Sequence, residues 1–283
     1  MIKLAAFADE ASTSFEGQIA ALKRNGIGYI EVRGLDGTNI GDITREQAME
    51  YAKRLSAEGI KVWSIGSPIG KVKISDDLNA HLEKLRHICG LANIFGAQRI
   101  RMFSFFEAYS DEETVISTLK KMVEIANEYN VMLCHENEKL IYGDTLERVT
   151  EIAEKVPGLR MVYDPANYIE VGELPEKTLP ALVGSSEYFH IKDVIAETGE
   201  LVPAGEGDGE IAKLIEMIGN EDKVLTLEPH LMIFDGYAQI DSTEMKNKFH
   251  FETNDEAFDA AVAALKKLLA QQNYKEVNGG FEK

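Results

Sequence analysis

Two cysteines in 283 residues, Cys89 and Cys134, leave no disulfide framework to staple a small secreted scaffold. No apolar run approaches the roughly 20 residues that a bilayer-spanning helix needs. The opening Met1-Ile2-Lys3-Leu4-Ala5-Ala6-Phe7 runs straight into Asp9 and Glu10 and lacks a secretory-leader pattern. These absences predict a cytoplasmic protein in a reducing compartment with no membrane partner. Positive charge is also short: 30 Lys and Arg against 48 Asp and Glu give a formal charge of −18. Such a field repels phosphate backbones and argues against nucleic acid as a partner. The glycine-rich fingerprints of dinucleotide and P-loop sites are missing after the first β-rich run.

What is present is a repeating unit. An amphipathic helical stretch ends in a turn, often marked by Gly or Asn, and a short β-rich run comes next. Asn25-Gly26 leads into residues 27–32, Glu58-Gly59 into 60–65, and Phe95-Gly96 into 98–103. Tyr129-Asn130 precedes 131–134, Pro157-Gly158 precedes 159–163, and further runs cover 187–191 and 223–227. With Ile2 to Phe7 in front, this predicts about eight strands alternating with helices. Gly is the expected residue past a helix C-terminus. Helical period supports the stretches between, with Ile19, Leu22 and Ile27 on one face and Leu82, Leu85, Ile88 and Leu91 on another. An open doubly wound sheet uses the same alternation. The missing dinucleotide fingerprint shifts weight to a single (β/α)8 TIM barrel of class α/β over residues 1–283.

Two segments interrupt the rhythm. Residues 196–210 read as a polar, Gly-rich loop after the seventh strand. Residues 229–254, which include Tyr237, Phe249, His250 and Phe251, read as a long loop after the eighth. Loops after strands lie on the functional face of a barrel, where long ones often cover the site. The tail after residue 272 reads as frayed.

Four ionisable residues stand where predicted strands end: Glu136, Asp164, His190 and Glu228. They are 28, 26 and 38 residues apart, which is one βα unit, another, and a unit plus the Gly-rich loop. Equivalent positions on consecutive barrel strands converge on one mouth. Three converging carboxylates repel one another unless a cation joins them. Each residue alone reads more simply as a helix N-cap or a solvated loop group; four at unit spacing do not. Three oxygen donors and one imidazole, with no thiolate, suit one divalent ion, with Mn²⁺ favoured and Mg²⁺, Co²⁺ or Zn²⁺ compatible.

The chain resembles the xylose isomerase-like TIM barrel superfamily, in its sugar phosphate isomerase/epimerase branch. The resemblance rests on Glu136-Asn137, Asp164-Pro165-Ala166-Asn167, His190-Ile191-Lys192-Asp193, Gly205-Glu206-Gly207 and Leu227-Glu228-Pro229-His230. It implies that Glu136, Asp164, His190 and Glu228 are the metal ligands and that Glu136 and Glu228 also act as acid and base on opposite faces of a sugar. The chemistry is coherent by itself. An ion bound to a carbonyl and a neighbouring hydroxyl acidifies the shared C–H and stabilises an enediolate, while one carboxylate removes the proton and another returns it.

The expected activity is a metal-dependent sugar or sugar phosphate isomerase/epimerase. The alternative is a lyase or dehydratase on a keto-sugar, keto-inositol or keto-glycoside through the same proton abstraction. A multi-zinc nuclease is disfavoured by six histidines and the acidic surface. Expected substrate contacts are Asn167, Lys192, Glu206, Arg101 and Glu31, with Arg101 suited to a phosphate or carboxylate. Where the well-described epimerases carry His, this chain has Asn167. His135, opposite in strand parity to Glu136, and His230, two residues past Glu228, are expected behind the ligands. The partner is a small sugar, and a homo-oligomer is compatible with the sequence.

Overall fold

The computed structural model describes residues 1–234 and 250–283. Eight parallel strands run in sequence order around it: β1 (Ile2–Ala6), β2 (Tyr29–Val32), β3 (Lys61–Gly66), β4 (Arg99–Met102), β5 (Met132–Glu136), β6 (Arg160–Tyr163), β7 (Ser186–Ile191) and β8 (Lys223–Leu227). β8 pairs back onto β1, with Ile2 opposite Lys223 through to Ala6 opposite Leu227, so the sheet closes. This is a single (β/α)8 barrel, as the alternation predicts. Among the described residues no helix is long and apolar enough to cross a membrane.

The helices are α1 (Phe15–Arg24), α2 (Arg45–Ala57), α3 (Leu78–Phe95), α4 (Glu112–Glu128), α5 (Leu146–Lys155), α6 (Pro165–Glu170), α7 (Pro175–Leu182), α8 (Ile211–Ile218) and α9 (Asn254–Gln271). Their starts are written locally. Ser14, Asp77, Asp111, Thr145 and Thr253 each accept a backbone N–H from the first turn, and Thr44 forms a reciprocal capping box with Gln47. Each cap contributes about 1 kcal/mol. The apolar faces then bury against the sheet, as Val115, Leu119, Met122 and Ala126 of α4 do.

Strand parity divides the barrel into two cores. Side chains on the outer face, such as Ile30, Val32, Ile100 and Leu225, join the helices in the main core. The inward column begins with a small apolar layer of Ala5, Cys134, Val162, Tyr188 and Val224. One step further along the same strands, at their C-terminal ends, that column changes to Glu136, Asp164, His190 and Glu228. The apolar layer is thus the floor of a polar mouth.

Three expectations about loops are revised. The segment 196–210 is not a simple loop: Asp193–Ile195 and Glu200–Val202 pair as an antiparallel hairpin before the glycines. The tail is not frayed. Lys275–Val277 and Gly280–Glu282 form a hairpin that places Phe281 opposite Ile2. β2 reaches only Ala5 and Ala6 of β1, and the hairpin pairs where β2 does not. Of the long segment 229–254, Tyr237 and Phe249 lie outside the described residues; His250 is exposed and Phe251 half-buried.

Phe281 is 6% exposed, so Phe281→Ala is expected to destabilise the fold by about 2–3 kcal/mol. Chemical denaturation measures this directly, and an unchanged midpoint would mean that the tail is not docked in solution.

Candidate metal centre

The site grows from the ends of β5 to β8. Asp164 shows how local sequence positions it. Its Oδ1 accepts the Asn167 N–H at 3.0 Å and caps α6, whose first residue is Pro165. Its Oδ2 is buried, accepts no hydrogen bond, and lies 3.2 Å from Lys192 Nζ. Helix cap and site residue are one side chain, with one oxygen for each task. Asn137 locks this strand end to its neighbour: its amide donates to Asp164 O and accepts from Asp164 N, both at 2.9 Å.

Glu136, Asp164, His190 and Glu228 are all buried, and each offers a donor atom within 4.8 Å of the others. His190 is central. Its Nδ1 lies 3.0 Å from Glu136 Oε1 and 2.9 Å from Glu228 Oε2. Its Nε2 lies 3.2 Å from Glu31 Oε2, and the other Glu31 oxygen accepts the Tyr188 hydroxyl at 2.7 Å. A carboxylate behind one imidazole nitrogen, with the other facing oxygen donors, is the arrangement that orients a metal-binding histidine.

The electrostatics call for a positive charge. Burial, reinforced by Glu136 and Glu228, pushes the Asp164 carboxyl up to about 7 despite Lys192. Burial disfavours the His190 imidazolium, yet Glu136, Glu31 and Glu228 outweigh it and hold the ring well above the ordinary histidine range. Burial likewise drives Glu10 up to about 8 against Arg33. Carboxylate donors crowded around one imidazole, two of their buried oxygens (Asp164 Oδ2 and Glu228 Oε2) accepting no hydrogen bond, fit a single divalent cation well.

The remaining expected residues fall into place differently. Lys192 Nζ donates to Asn167 Oδ1 at 2.7 Å, and Asn167 Nδ2 donates to Asn137 O at 2.9 Å and Glu136 Oε1 at 3.3 Å. Both residues join the ligands to one another. Glu31 backs His190, with both oxygens engaged, and does not pair with Arg33. Arg101 Nε sits 3.1 Å from Glu136 Oε2 while Nη1 donates to Ser67 O, so its guanidinium faces a ligand of this chain. Glu206 is exposed and remote from the cluster; no contact brings it in. The glycine loop around it is organised by Asp193, whose carboxylate accepts N–H groups from Gly205, Gly207 and Gly209. His135 points away and bonds Ser104 Oγ at 2.8 Å. His230 Nε2 lies 3.5 Å from Glu228 Oε1 and 3.4 Å from Glu10 Oε1.

Sequence reasoning passed over Asp9, Glu10 and Arg33. Arg33 donates to Asp9 from Nε and Nη2, to Glu10 Oε1 at 3.2 Å and to Glu228 Oε1 at 2.8 Å. The signal was available: like the four ligands, these residues come directly after strands, here β1 and β2.

A closed parallel barrel with a buried carboxylate–imidazole cluster at its C-terminal mouth defines a class of metal-ready (β/α)8 scaffolds. The family described as xylose isomerase-like TIM barrel matches residues 19–268, and the chain belongs to it. Among solved structures, the probable 3-DHS dehydratase AsbF from Bacillus anthracis superposes with a TM-score of 0.73 at 18% identity, covering 94% of this chain and 99% of that one. A D-allulose 3-epimerase from Methylomonas sp. gives 0.73 at 17%, over 94% and 98%. The IOLI protein with a bound zinc atom gives 0.73 at 17%, over 95% and 98%. At these identities the likeness is one of fold. No curated protein sequence matches the chain.

His135 carries a pH prediction. Burial holds it down at about 3, whereas the unfolded chain takes up that proton near 6.5. Its contribution is therefore complete above pH 6.5 and is lost as pH falls toward 3, by roughly 2–3 kcal/mol at pH 4.5. Thermal unfolding of His135→Gln is expected to fall less steeply between pH 6.5 and 4.5 than the wild type; equal slopes would remove His135 as the source.

Proposed function

We propose that the protein is a divalent-metal-dependent isomerase or epimerase of an uncharged keto-sugar, acting by proton transfer next to a carbonyl. The observation that carries this reading is the His190 ring, with Nδ1 facing Glu136 and Glu228 together and Nε2 backed by Glu31. Glu136, Asp164, His190 and Glu228 would hold the ion, with Mn²⁺ favoured among Mn²⁺, Mg²⁺, Co²⁺ and Zn²⁺ by the oxygen-rich donor set. When bound, such an ion polarises a carbonyl and its neighbouring hydroxyl. Glu136 and Glu228 approach His190 Nδ1 from two sides and are the residues to remove and return the proton. The apolar floor beneath them excludes water and keeps the proton in their exchange.

The choice of an uncharged substrate rests on the cations. Arg33 is matched to Asp9, Glu10 and Glu228, Arg101 to Glu136, Lys192 to Asp164, and Lys71 to Glu138. A phosphate would have to displace one of these pairs, whereas sugar hydroxyls need no additional charge. The family's dehydratase and epimerase relatives in fold differ in the step after proton removal, and product analysis separates them: loss of water replaces simple isomerisation.

Elemental analysis of chelator-free protein is expected to give about one equivalent of divalent metal, lost in His190→Ala and Glu228→Gln. A wild type that remains metal-free after incubation with Mn²⁺, Co²⁺ and Zn²⁺ would sink the reading. With metal confirmed, neutral ketoses are expected to take up solvent deuterium next to the carbonyl, and ketose phosphates are not. Glu136→Gln and Glu228→Gln should each slow that exchange by about 10²–10⁴-fold; exchange at the wild-type rate would remove the glutamate from the proton transfer.

A further inference from the structure

Both glutamates at the mouth have one oxygen toward His190 and the other toward an arginine. Glu136 turns Oε1 to His190 and Oε2 to Arg101; Glu228 turns Oε2 to His190 and Oε1 to Arg33. The two arginines are held very differently. Arg101 Nε lies 3.1 Å from its glutamate but is not aligned as a hydrogen bond, and its Nη1 is anchored on the Ser67 carbonyl. Arg33 spends its fork on Asp9 at 2.9 and 3.0 Å, on Glu10 and on Glu228. Its guanidinium lies 4.3 Å from the centre of the Phe7 ring and 4.7 Å from that of Phe234. Phe7 in turn meets His190 edge to face, with centroids 5.2 Å apart. The segment after β8 joins the same hub, because His230 N donates to Glu10 Oε2 at 2.8 Å.

Glu10, Glu228 and His230 also offer donor atoms close enough together for an ion. Arg33 already bonds both carboxylates of that group, so their counter-charge is a side chain of this protein. We propose that Arg33 is a positioning residue for Glu228: braced by Asp9 and Glu10, it takes one carboxylate oxygen and leaves the other for the ion and for proton transfer. This rests on the metal-dependent reading of the site. The planar, five-donor fork is needed for such a junction, and an ammonium cannot reproduce it.

The sign of one measurement separates positioning from simple charge. A cation that only repels a neighbouring metal ion should, when removed, let the ion bind more tightly. A residue that positions a ligand should, when removed, weaken binding, typically by about 10–100-fold for groups that orient metal ligands. Metal-stripped full-length protein is titrated with Mn²⁺ by calorimetry, with circular dichroism as the folding control. Arg33→Met is expected to bind Mn²⁺ at least about tenfold more weakly, Arg33→Lys to recover little of that loss, and Asp9→Asn to weaken binding by a smaller factor. Unchanged or tighter binding in Arg33→Met overturns the assignment, as does full rescue by lysine. If Arg33→Met does not fold, Asp9→Asn decides, and wild-type affinity in it overturns the proposal. Failure of the wild type itself to bind Mn²⁺, Co²⁺ or Zn²⁺ would instead defeat the metal-dependent reading on which this one stands.

Discussion

Carboxylates remain ionised inside a protein only where positive charge stands beside them, and an unmatched buried ion costs several kcal/mol even after relaxation. This barrel buries Glu10, Glu31, Glu136, Asp164 and Glu228 around one mouth. Much of the structure there obeys that constraint. Arg33, Arg101 and Lys192 are buried although such residues seldom are, and each is aimed at a carboxylate. His190 is drawn toward its charged form by three of them. The upward shift of Asp164 reports the repulsion that the side chains alone leave unrelieved, and a divalent ion at the donor cluster would relieve it.

The sheet delivers these groups with little freedom. Parallel pairing sets Thr226 beside His190 and Leu227 beside Ile191, so strand ends stay level from one strand to the next. Parity sends Cys134 and Glu136 inward along β5 while His135 turns to the outer face. A shift of one residue in β5 would present His135 to the mouth and send Glu136 into the helical layer. The small apolar layer of Ala5, Cys134, Val162, Tyr188 and Val224 keeps water away from below, which strengthens every charge interaction above it.

Individual residues show how far one-dimensional reasoning reaches. Spacing by βα units identified Glu136, Asp164, His190 and Glu228 as a group, because a barrel turns regular spacing into convergence. The same spacing says nothing about which partner a long side chain will choose. Arg101, read as an anion receptor, faces Glu136; Glu31, read as a sugar contact, backs His190; Glu206, read from its glycine setting, stays in solvent while Asp193 gathers the glycine N–H groups. The tail misled for a related reason. Its polar, glycine-bearing sequence has no periodicity, yet Phe281 finds the stretch of β1 that β2 leaves uncovered.

The barrel is legible in the chain alone, through alternating helix and strand periods with caps and turn residues at their junctions, and so are the four strand-end donors. These are local properties, readable over a few residues or one repeat. How the charges pair is settled only in the closed fold: Arg33 with Asp9, Glu10 and Glu228, and Glu31 with His190 across 159 residues of chain. Flexible charged side chains choose partners by distance and burial in three dimensions, and neither quantity exists until the sheet has closed.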